Sequence, residues 1–152
     1  MITHLAISGG GSSGIKFTGS LKYLEETNQL KNLKCILGTS IGAIIAVLLS
    51  YSTVDNIIDN IKNINGIKKD DISLKLLLNN LGLFSKKQIL HDLSEILQKT
   101  FHKIPTFLEL YNYSKKDIII STYNLSINKL IYFNYKSNPN MSIINAIALS
   151  IN

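Results

Sequence analysis

The sequence feature that most constrains the fold is a Gly-Thr-Ser-Ile-Gly pentapeptide inside the longest apolar stretch. The stretch runs from Cys35 to Leu49, and the pentapeptide occupies Gly38–Gly42. The short apolar run before it is typical of a buried strand, and the run from Ala43 onward is apolar on all sides of a helix. A strand that turns directly into a helix needs small residues at the turn, because backbone segments approach closely there. The pattern therefore predicts a strand-turn-helix unit with Ser40 at its corner.

The same stretch is a poor candidate for a membrane span. It is shorter than the roughly 20 residues that a spanning helix needs, and Gly38–Gly42 interrupts it. Met1–Leu5 lacks the basic start and apolar run of a signal peptide. We therefore expect a cytoplasmic protein without a transmembrane segment.

The other periodic patterns alternate strands with helices. Residues 3–8 predict a first strand, residues 9–14 are too rich in glycine for the interior of a helix or strand, and residues 15–27 have helical spacing. The further predicted segments are a helix after Thr53, a Leu-rich helix or flap at 74–83, a helix after a capping box at 85–88, a helix from Pro105, strands at 117–122 and 130–133 with a hairpin loop at 124–128, and a helix at 142–151. This order predicts one α/β layered domain over residues 1–152.

Composition excludes several classes of function. The net charge is +6, but all 16 basic residues are lysine. The stronger interpretation of lysine without arginine is the codon usage of an AT-rich genome. Nucleic-acid readers rely on arginine, so any charge-driven contact is expected with an anionic membrane surface more than with nucleic acid. Cys35 is the only cysteine, which excludes a disulfide framework and a Cys-rich zinc site. His4, His91 and His102 have no metal-ligand spacing, so no metal is expected.

The pentapeptide fits the pattern G-x-S-x-G of a nucleophile elbow. Such a turn holds the hydroxyl of Ser40 above the sheet edge, and the free N–H groups of the following helix favour developing negative charge there. The competing interpretation is a tight strand-to-helix turn with an idle serine. The buried strand before the pentapeptide and the apolar helix after it favour the elbow.

The Gly-rich loop after the first strand has two interpretations. Consecutive glycines let backbone N–H groups line a cavity, which suits an oxyanion or a phosphate. Gly9, Gly11 and Gly14 also satisfy the dinucleotide pattern G-x-G-x-x-G, but that pattern needs an acidic residue about 20 positions further on. Lys34 is the only charge near the end of the second strand. The nucleotide hypothesis is therefore the weaker one.

The two motifs support one another. If the first two strands are parallel neighbours, Gly9–Gly14 and Gly38–Gly42 lie at the same edge of the sheet. A serine nucleophile and backbone oxyanion donors would then share one cleft, as acyl transfer requires.

Together these residues resemble the start of a patatin-like phospholipase domain. The resemblance rests on Gly9-Gly10-Gly11-Ser12-Ser13-Gly14 and Gly38-Thr39-Ser40-Ile41-Gly42-Ala43, and it extends over the later segments 82–85, 106–110, 118–124 and 145–150. It implies a three-layer α/β/α domain with a mainly parallel sheet, and a lipid acyl hydrolase that needs no metal or cofactor. Ser40 would be the nucleophile of a Ser-Asp dyad. The N–H groups of Gly10, Gly11 and Ile41 would form the oxyanion hole, and the substrate would be a phospholipid or another acyl lipid.

Two departures from the family pattern matter. The family usually has Arg or Lys at the position of Ser13, and its dyad Asp lies in an Asp-Gly motif after the helix at 145–150. No Asp in this chain is followed by Gly, so no residue is assigned as the dyad Asp and the domain is expected to be incomplete at its C-terminus. The alternative is a catalytically inactive, truncated relative that acts as a lipid-binding or interaction module.

Other residues are weaker candidates for chemistry. Asp71 followed by His91 has the chain order of an α/β-hydrolase triad, but His91 and His102 have the positions of exposed helix residues. His4 and Cys35 are expected to be structural strand residues. A group of aromatic residues is expected to pack on a sheet face: Tyr111, Tyr113, Tyr132, Phe133 and Tyr135.

Overall fold

A computed structural model describes residues 1–64 and 86–151 of the chain. The strands are β1 (His4–Ile7), β2 (Cys35–Thr39), β3 (Asp117–Asn124) and β4 (Lys129–Phe133). The helices are α1 (Phe17–Glu26), α2 (Ile41–Tyr51), α3 (Val54–Asn63), α4 (Lys86–Phe101), α5 (Phe107–Ser114) and α6 (Ile143–Ser150), and a 3₁₀-helix covers Gly11–Lys16.

The four strands form one sheet in the order β1-β2-β3-β4. β1, β2 and β3 are parallel, and β4 returns antiparallel to β3. In this register Ile7 lies beside Gly38, and Gly38 lies beside Ile120. The carboxyl ends of the three parallel strands therefore meet at one edge, which is the edge where ligands bind in open α/β sheets.

The core lies between one face of the sheet and α2. Every residue of α2 from Ile41 to Ser50 is buried, because the helix carries no charged side chain and packs against β1, β2 and β3. On the facing side of the sheet, Ile36, Ile118 and Ile120 are almost completely buried. Burial of this many large aliphatic side chains, at about 25 cal/mol per Å² of apolar area, is the main stabilising contribution.

Two glycines allow α2 to lie this close to the strands. A Cβ atom on Gly42 would overlap the carbonyl oxygen of Ile7 and come within 2.6 Å of the carbonyl oxygen of Ser8. A Cβ atom on Gly38 would lie 2.5 Å from the Cα atom of Ala43. Gly42 is thus required by the close approach of α2 to the end of β1, and Gly38 by the close approach of β2 to the first turn of α2.

The structure confirms the α/β class, the mainly parallel sheet and the hairpin between the last two strands. The predicted helix start at Thr53 is also present, since its side chain accepts a hydrogen bond from the Asn56 N–H.

The expectation that the Gly-rich loop avoids helix is wrong, because Gly11–Lys16 forms a 3₁₀-helix that leads into α1. The short i→i+3 turns of a 3₁₀-helix tolerate glycine where a long α-helix would not. The predicted Leu-rich helix or flap and the capping box starting at Ser85 lie outside the described residues.

The aromatic side chains pack differently from the expectation. Tyr111 and Tyr135 stack with ring centroids 3.7 Å apart. Tyr113 instead contacts Phe101 edge to face and remains largely exposed, and Tyr132 is half-exposed on β4. The prediction of one aromatic group on a sheet face is therefore wrong for Tyr111 and Tyr113, which both belong to α5.

Candidate active site

Ser40 occupies the corner between β2 and α2 in a conformation that few non-glycine residues adopt. Its φ is 54° and its ψ is −123°. A backbone of this kind costs about 1–3 kcal/mol and persists only where the surrounding structure holds it in place. The carbonyl of Ser40 accepts the N–H of Ala43 at 2.9 Å and so starts α2. The strained serine between two closely packed glycines has the geometry of a nucleophile elbow.

The Gly-rich loop lies against this corner. The Cα of Gly9 is close to Ser40, since a Cβ atom on Gly9 would lie 3.5 Å from the Cβ of Ser40. Gly11 has a φ of 51°, and Gly14 leaves no room for a side chain beside Ile41. Gly9, Gly10, Gly11 and Ser13 are exposed, so the loop opens to solvent. The structure thus brings together the two motifs that the sequence singles out.

The N-terminus of α2 adds further donors at the same place. Ile41 and Gly42 are the first residues of the helix, and their N–H groups have no intrahelical acceptor. The helix dipole places partial positive charge at this end. The backbone around Ser40 is therefore suited to stabilise negative charge.

A group of hydroxyl side chains lies directly behind the elbow. Ser150, the last residue of α6, accepts a hydrogen bond from the backbone N–H of Ser40 at 2.8 Å and donates one to the carbonyl of Ser121 at 2.7 Å. Thr39 and Ser121 share a hydrogen bond between their hydroxyls at 2.5 Å. We refer to Thr39, Ser121 and Ser150 as the hydroxyl cluster. None of these three residues has a predicted role beyond membership of a motif or segment.

Three titratable strand residues lie at the opposite edge of the sheet. His4, Cys35 and Asp117 are neighbours in register at the amino ends of β1, β2 and β3. A strand rises about 3.3 Å per residue, which places Cys35 roughly 13 Å from Thr39 along β2. None of the three can therefore exchange a proton directly with Ser40. Burial raises the pKa of the Cys35 thiol, with a further contribution from the negative charge of Asp117, as expected for a structural cysteine.

Asp117 provides a test of the electrostatics of that opposite edge. Burial raises the pKa of its carboxyl, Lys136 opposes the shift, and Oδ1 is buried without a hydrogen-bond partner among the described residues. Because the carboxyl group has a higher pKa in the folded state than in the unfolded state, its protonated form stabilises the fold. This contribution is complete below the unfolded-state pKa of about 3.9, and it is lost as the pH rises through the folded-state pKa. We expect Asp117→Asn to raise the free energy of unfolding at neutral pH and to have little effect near pH 3.5.

Urea unfolding over this pH range measures the effect. Asp59→Asn, on the exposed side of α3, serves as the matched control and should leave the profile unchanged. A loss of stability at neutral pH on Asp117→Asn would show that the carboxylate makes a favourable contact in the fold.

The two helix histidines occupy exposed positions. His91 is exposed on α4, and His102 follows the end of that helix with a φ of 58°. The neighbouring Asp92 is buried and accepts a hydrogen bond from Gln88 at 2.7 Å. No Asp, Glu or His side chain hydrogen-bonds to the hydroxyl of Ser40 among residues 1–64 and 86–151. Asp71 lies outside the described residues.

A cleft of about 610 Å³ opens beside the hydroxyl cluster. Its floor is formed by Leu37, Thr39 and Ser121 on the sheet face opposite to α2. Its walls come from the end of α6 and from the β3–β4 hairpin: Thr122, Tyr123, Leu125, Leu130, Tyr132, Leu149 and Ser150. The lining is mostly apolar, so the cleft suits an apolar group next to the polar elbow.

The described residues contain neither a metal-binding cluster nor a membrane-spanning helix. No three His, Cys, Asp or Glu side chains in residues 1–64 and 86–151 lie close enough to hold a metal ion. None of the helices that the structure describes has both the length and the apolar composition to cross a bilayer.

Comparison with known proteins assigns the family. The sequence model of the family described as patatin-like phospholipase matches residues 5–152. The chain is 31% identical over 156 residues to protein R571 of Acanthamoeba polyphaga mimivirus, and 30% identical over 151 residues to a protein of invertebrate iridescent virus 6 named probable lipid hydrolase 463L. These alignments cover 99% and 96% of this chain. The chain belongs to the patatin-like phospholipase family, and it spans 51% of the length of either viral relative.

Solved structures show the same fold. The crystal structure of the type III effector ExoU, a protein of Pseudomonas aeruginosa, superposes with a TM-score of 0.64 at 22% identity, covering 98% of this chain and 40% of that one. The structure of VipD from Legionella pneumophila superposes with a TM-score of 0.58 at 18% identity, covering 96% and 41%. At these identities the likeness concerns the fold.

Proposed function

We propose that this chain carries the nucleophile and oxyanion half of a lipid acyl hydrolase. The observation that carries the proposal is the strained φ of Ser40 at the corner between β2 and α2, with the Gly9 backbone packed against it. Membership of the patatin-like phospholipase family and the viral relative named probable lipid hydrolase supply the substrate class. The ester of a phospholipid or another acyl lipid would bind with its carbonyl at Ser40.

The proposed reaction has two halves. The hydroxyl oxygen of Ser40 forms a bond to the ester carbonyl carbon while its proton passes to a base, and the carbonyl oxygen becomes an oxyanion. Collapse of this intermediate breaks the ester C–O bond and releases the alcohol, which takes up the proton. Water then hydrolyses the acyl-serine in the same way and frees the fatty acid.

The oxyanion would be held by backbone N–H groups. In this proposal Gly10 and Gly11, at the start of the 3₁₀-helix, and Ile41, at the start of α2, would each contribute one N–H group. Fixed donors of this kind lower the barrier because they need no reorganisation as charge develops, and one such donor is worth roughly 3–4 kcal/mol in comparable enzymes. No cofactor or metal enters this scheme.

The described residues do not supply the general base that would accept the proton of the Ser40 hydroxyl. Asp117 is the only carboxylate on the strands that the structure describes, and it lies at the sheet edge opposite to Ser40. This observation keeps a second candidate function open, in which the chain is a catalytically inactive relative that binds lipid or acts as an interaction module. Reaction with a fluorophosphonate distinguishes the two, because labelling at Ser40 supports the hydrolase and its absence supports the inactive relative.

We further propose that the β3–β4 hairpin contacts the lipid surface. Leu125 is 86% exposed and Ile127 is 55% exposed at its tip, and the half-exposed Tyr123, Leu130 and Tyr132 continue this apolar surface toward the cleft. Apolar groups clustered on one exposed loop favour a partner with an apolar interior. The positive net charge of the chain favours an anionic membrane.

Replacement of the two tip residues tests this contact. We expect Leu125→Ser combined with Ile127→Ser to weaken binding to phosphatidylserine-containing vesicles by about tenfold or more, since each apolar side chain contributes roughly 1.5–3 kcal/mol when buried. Vesicle co-sedimentation measures the binding. Leu108→Ser, at an exposed position on α5, is the matched control and should bind as the parent does. Equal binding by the double variant would place the contact elsewhere.

A further inference from the structure

The hydroxyl of Ser150 accepts a hydrogen bond from the backbone N–H of Ser40. The two residues are 110 positions apart in the chain, yet Ser150 Oγ lies 2.8 Å from the backbone nitrogen of Ser40. Ser150 is only 9% exposed, at the point where α6 meets the carboxyl end of β3. The contact therefore joins three elements at the elbow: α6, β3 and the turn between β2 and α2.

The direction of the two hydrogen bonds is fixed by chemistry. A backbone N–H can only donate and a backbone carbonyl can only accept. The single hydroxyl proton of Ser150 must therefore point to the carbonyl of Ser121, at 2.7 Å, which leaves an oxygen lone pair for the N–H of Ser40. Ser121 thus orients the hydroxyl that in turn holds the serine of the elbow.

Ser40 needs a constraint of this kind. Its φ of 54° is a conformation that a non-glycine residue leaves unless neighbouring contacts hold it. The hydrogen bond from its N–H to Ser150 fixes the plane of the preceding peptide, and the hydrogen bond that its carbonyl accepts from the Ala43 N–H fixes the plane of the following one. With both planes held, φ and ψ of Ser40 are fixed, and with them the direction of the Cα–Cβ bond that carries the hydroxyl.

We propose that Ser150 is a positioning residue that holds the backbone of Ser40 in its strained conformation and so aims the nucleophile. The proposal rests on the proposed acyl-hydrolase function. Although Ser150 lines the cleft, the proposal assigns its hydroxyl no hydrogen bond to substrate, because that hydroxyl already serves the two backbone groups. Loss of the hydroxyl would leave the N–H of Ser40 without its acceptor and allow the turn to relax.

A buried serine elsewhere on α2 provides a matched control. The hydroxyl of Ser50 donates to the carbonyl of Val47 at 2.6 Å, and Ser50 lies near the opposite end of α2 from Ser40. Ser50 does not line the cleft. Ser50→Ala therefore measures the effect of losing a buried serine hydroxyl while Ser40 keeps its own hydrogen bond.

The first experiment compares rates of fluorophosphonate labelling at Ser40 in the intact protein. We expect Ser150→Ala to slow labelling by at least about tenfold, which corresponds to about 1.4 kcal/mol. Ser150→Thr keeps a hydroxyl and should recover most of the rate, and Ser50→Ala should label as the parent does. Equal slowing by Ser150→Ala and Ser50→Ala, or no slowing by Ser150→Ala, would overturn the proposal.

A second measurement separates this proposal from the function on which it rests. The amide of Ser40 in the ¹⁵N-labelled protein should exchange its hydrogen at least about tenfold faster in Ser150→Ala than in Ser150→Thr, because its acceptor is gone. Absence of labelling in the parent protein would defeat the proposed hydrolase while leaving this comparison valid. An unchanged amide exchange rate in Ser150→Ala would defeat the positioning role whatever the outcome of labelling.

Discussion

Replacing Ser40 by alanine is expected to abolish fluorophosphonate labelling and to lower ester hydrolysis by the intact protein by at least about a thousandfold. The reason is that the proposed mechanism passes through an acyl bond to the hydroxyl of Ser40, and no other side chain at the elbow can form it in the same place. The hydroxyl makes no hydrogen bond within the described parts of the chain. Its removal should therefore change the free energy of unfolding by less than about 0.5 kcal/mol.

The measurement pairs labelling with thermal unfolding. Ser20→Ala, at an exposed position on α1, is the control for loss of an arbitrary serine hydroxyl. Retained hydrolysis in a well-folded Ser40→Ala protein would reject Ser40 as the nucleophile. Absence of both labelling and hydrolysis in the parent protein would instead favour the inactive lipid-binding relative.

The largest effect on stability is expected from Gly42→Ala. The added methyl group would overlap the Ile7 carbonyl oxygen and lie 2.6 Å from the Ser8 carbonyl oxygen. Both atoms belong to the backbone where β1 ends, so the strain cannot be relieved by rotating a side chain. We expect a loss of about 3 kcal/mol or more in the free energy of unfolding, a large part of the 5–15 kcal/mol that domains typically possess.

Gly19→Ala is the matched control for the conformational effect of the same substitution. Gly19 lies inside α1 with nothing within 4 Å of the position that a Cβ atom would take. Alanine there should raise the free energy of unfolding by roughly 0.5–1 kcal/mol, because glycine is the poorer helix former. Urea denaturation measures both variants, and a Gly42→Ala protein as stable as the parent would contradict the close packing of α2 on β1.

The sequence carried enough local information to predict the elements around the site. Buried strands are recognisable as short apolar runs, and the pentapeptide at Gly38–Gly42 marks a strand-to-helix corner because only small residues fit there. The proximity of the Gly-rich loop to that corner followed from one further assumption, that β1 and β2 are parallel neighbours. The register of Ile7 with Gly38 confirms that assumption.

The hydroxyl cluster behind Ser40 could not be predicted in the same way. The contact between Ser150 and Ser40 joins positions 110 residues apart, and serine at the end of a helix has many ordinary uses. One signal was present in the pattern: Thr39 and Ser121 each follow an apolar strand run and lie side by side in register. Aligning the ends of β2 and β3 would have paired these two hydroxyls, but nothing in the sequence indicated that β2 and β3 are neighbours in the sheet.

The strained backbone of Ser40 sets the stability of the turn against the chemistry of its side chain. Glycine adopts a φ of 54° without penalty, so Ser40→Gly would relieve about 1 kcal/mol or more of strain at a position already flanked by glycines. The same replacement would remove the hydroxyl on which the proposed acyl transfer depends. Stability and chemistry therefore make opposite demands at this corner, and relaxing the turn by substitution at position 40 would end the proposed reaction.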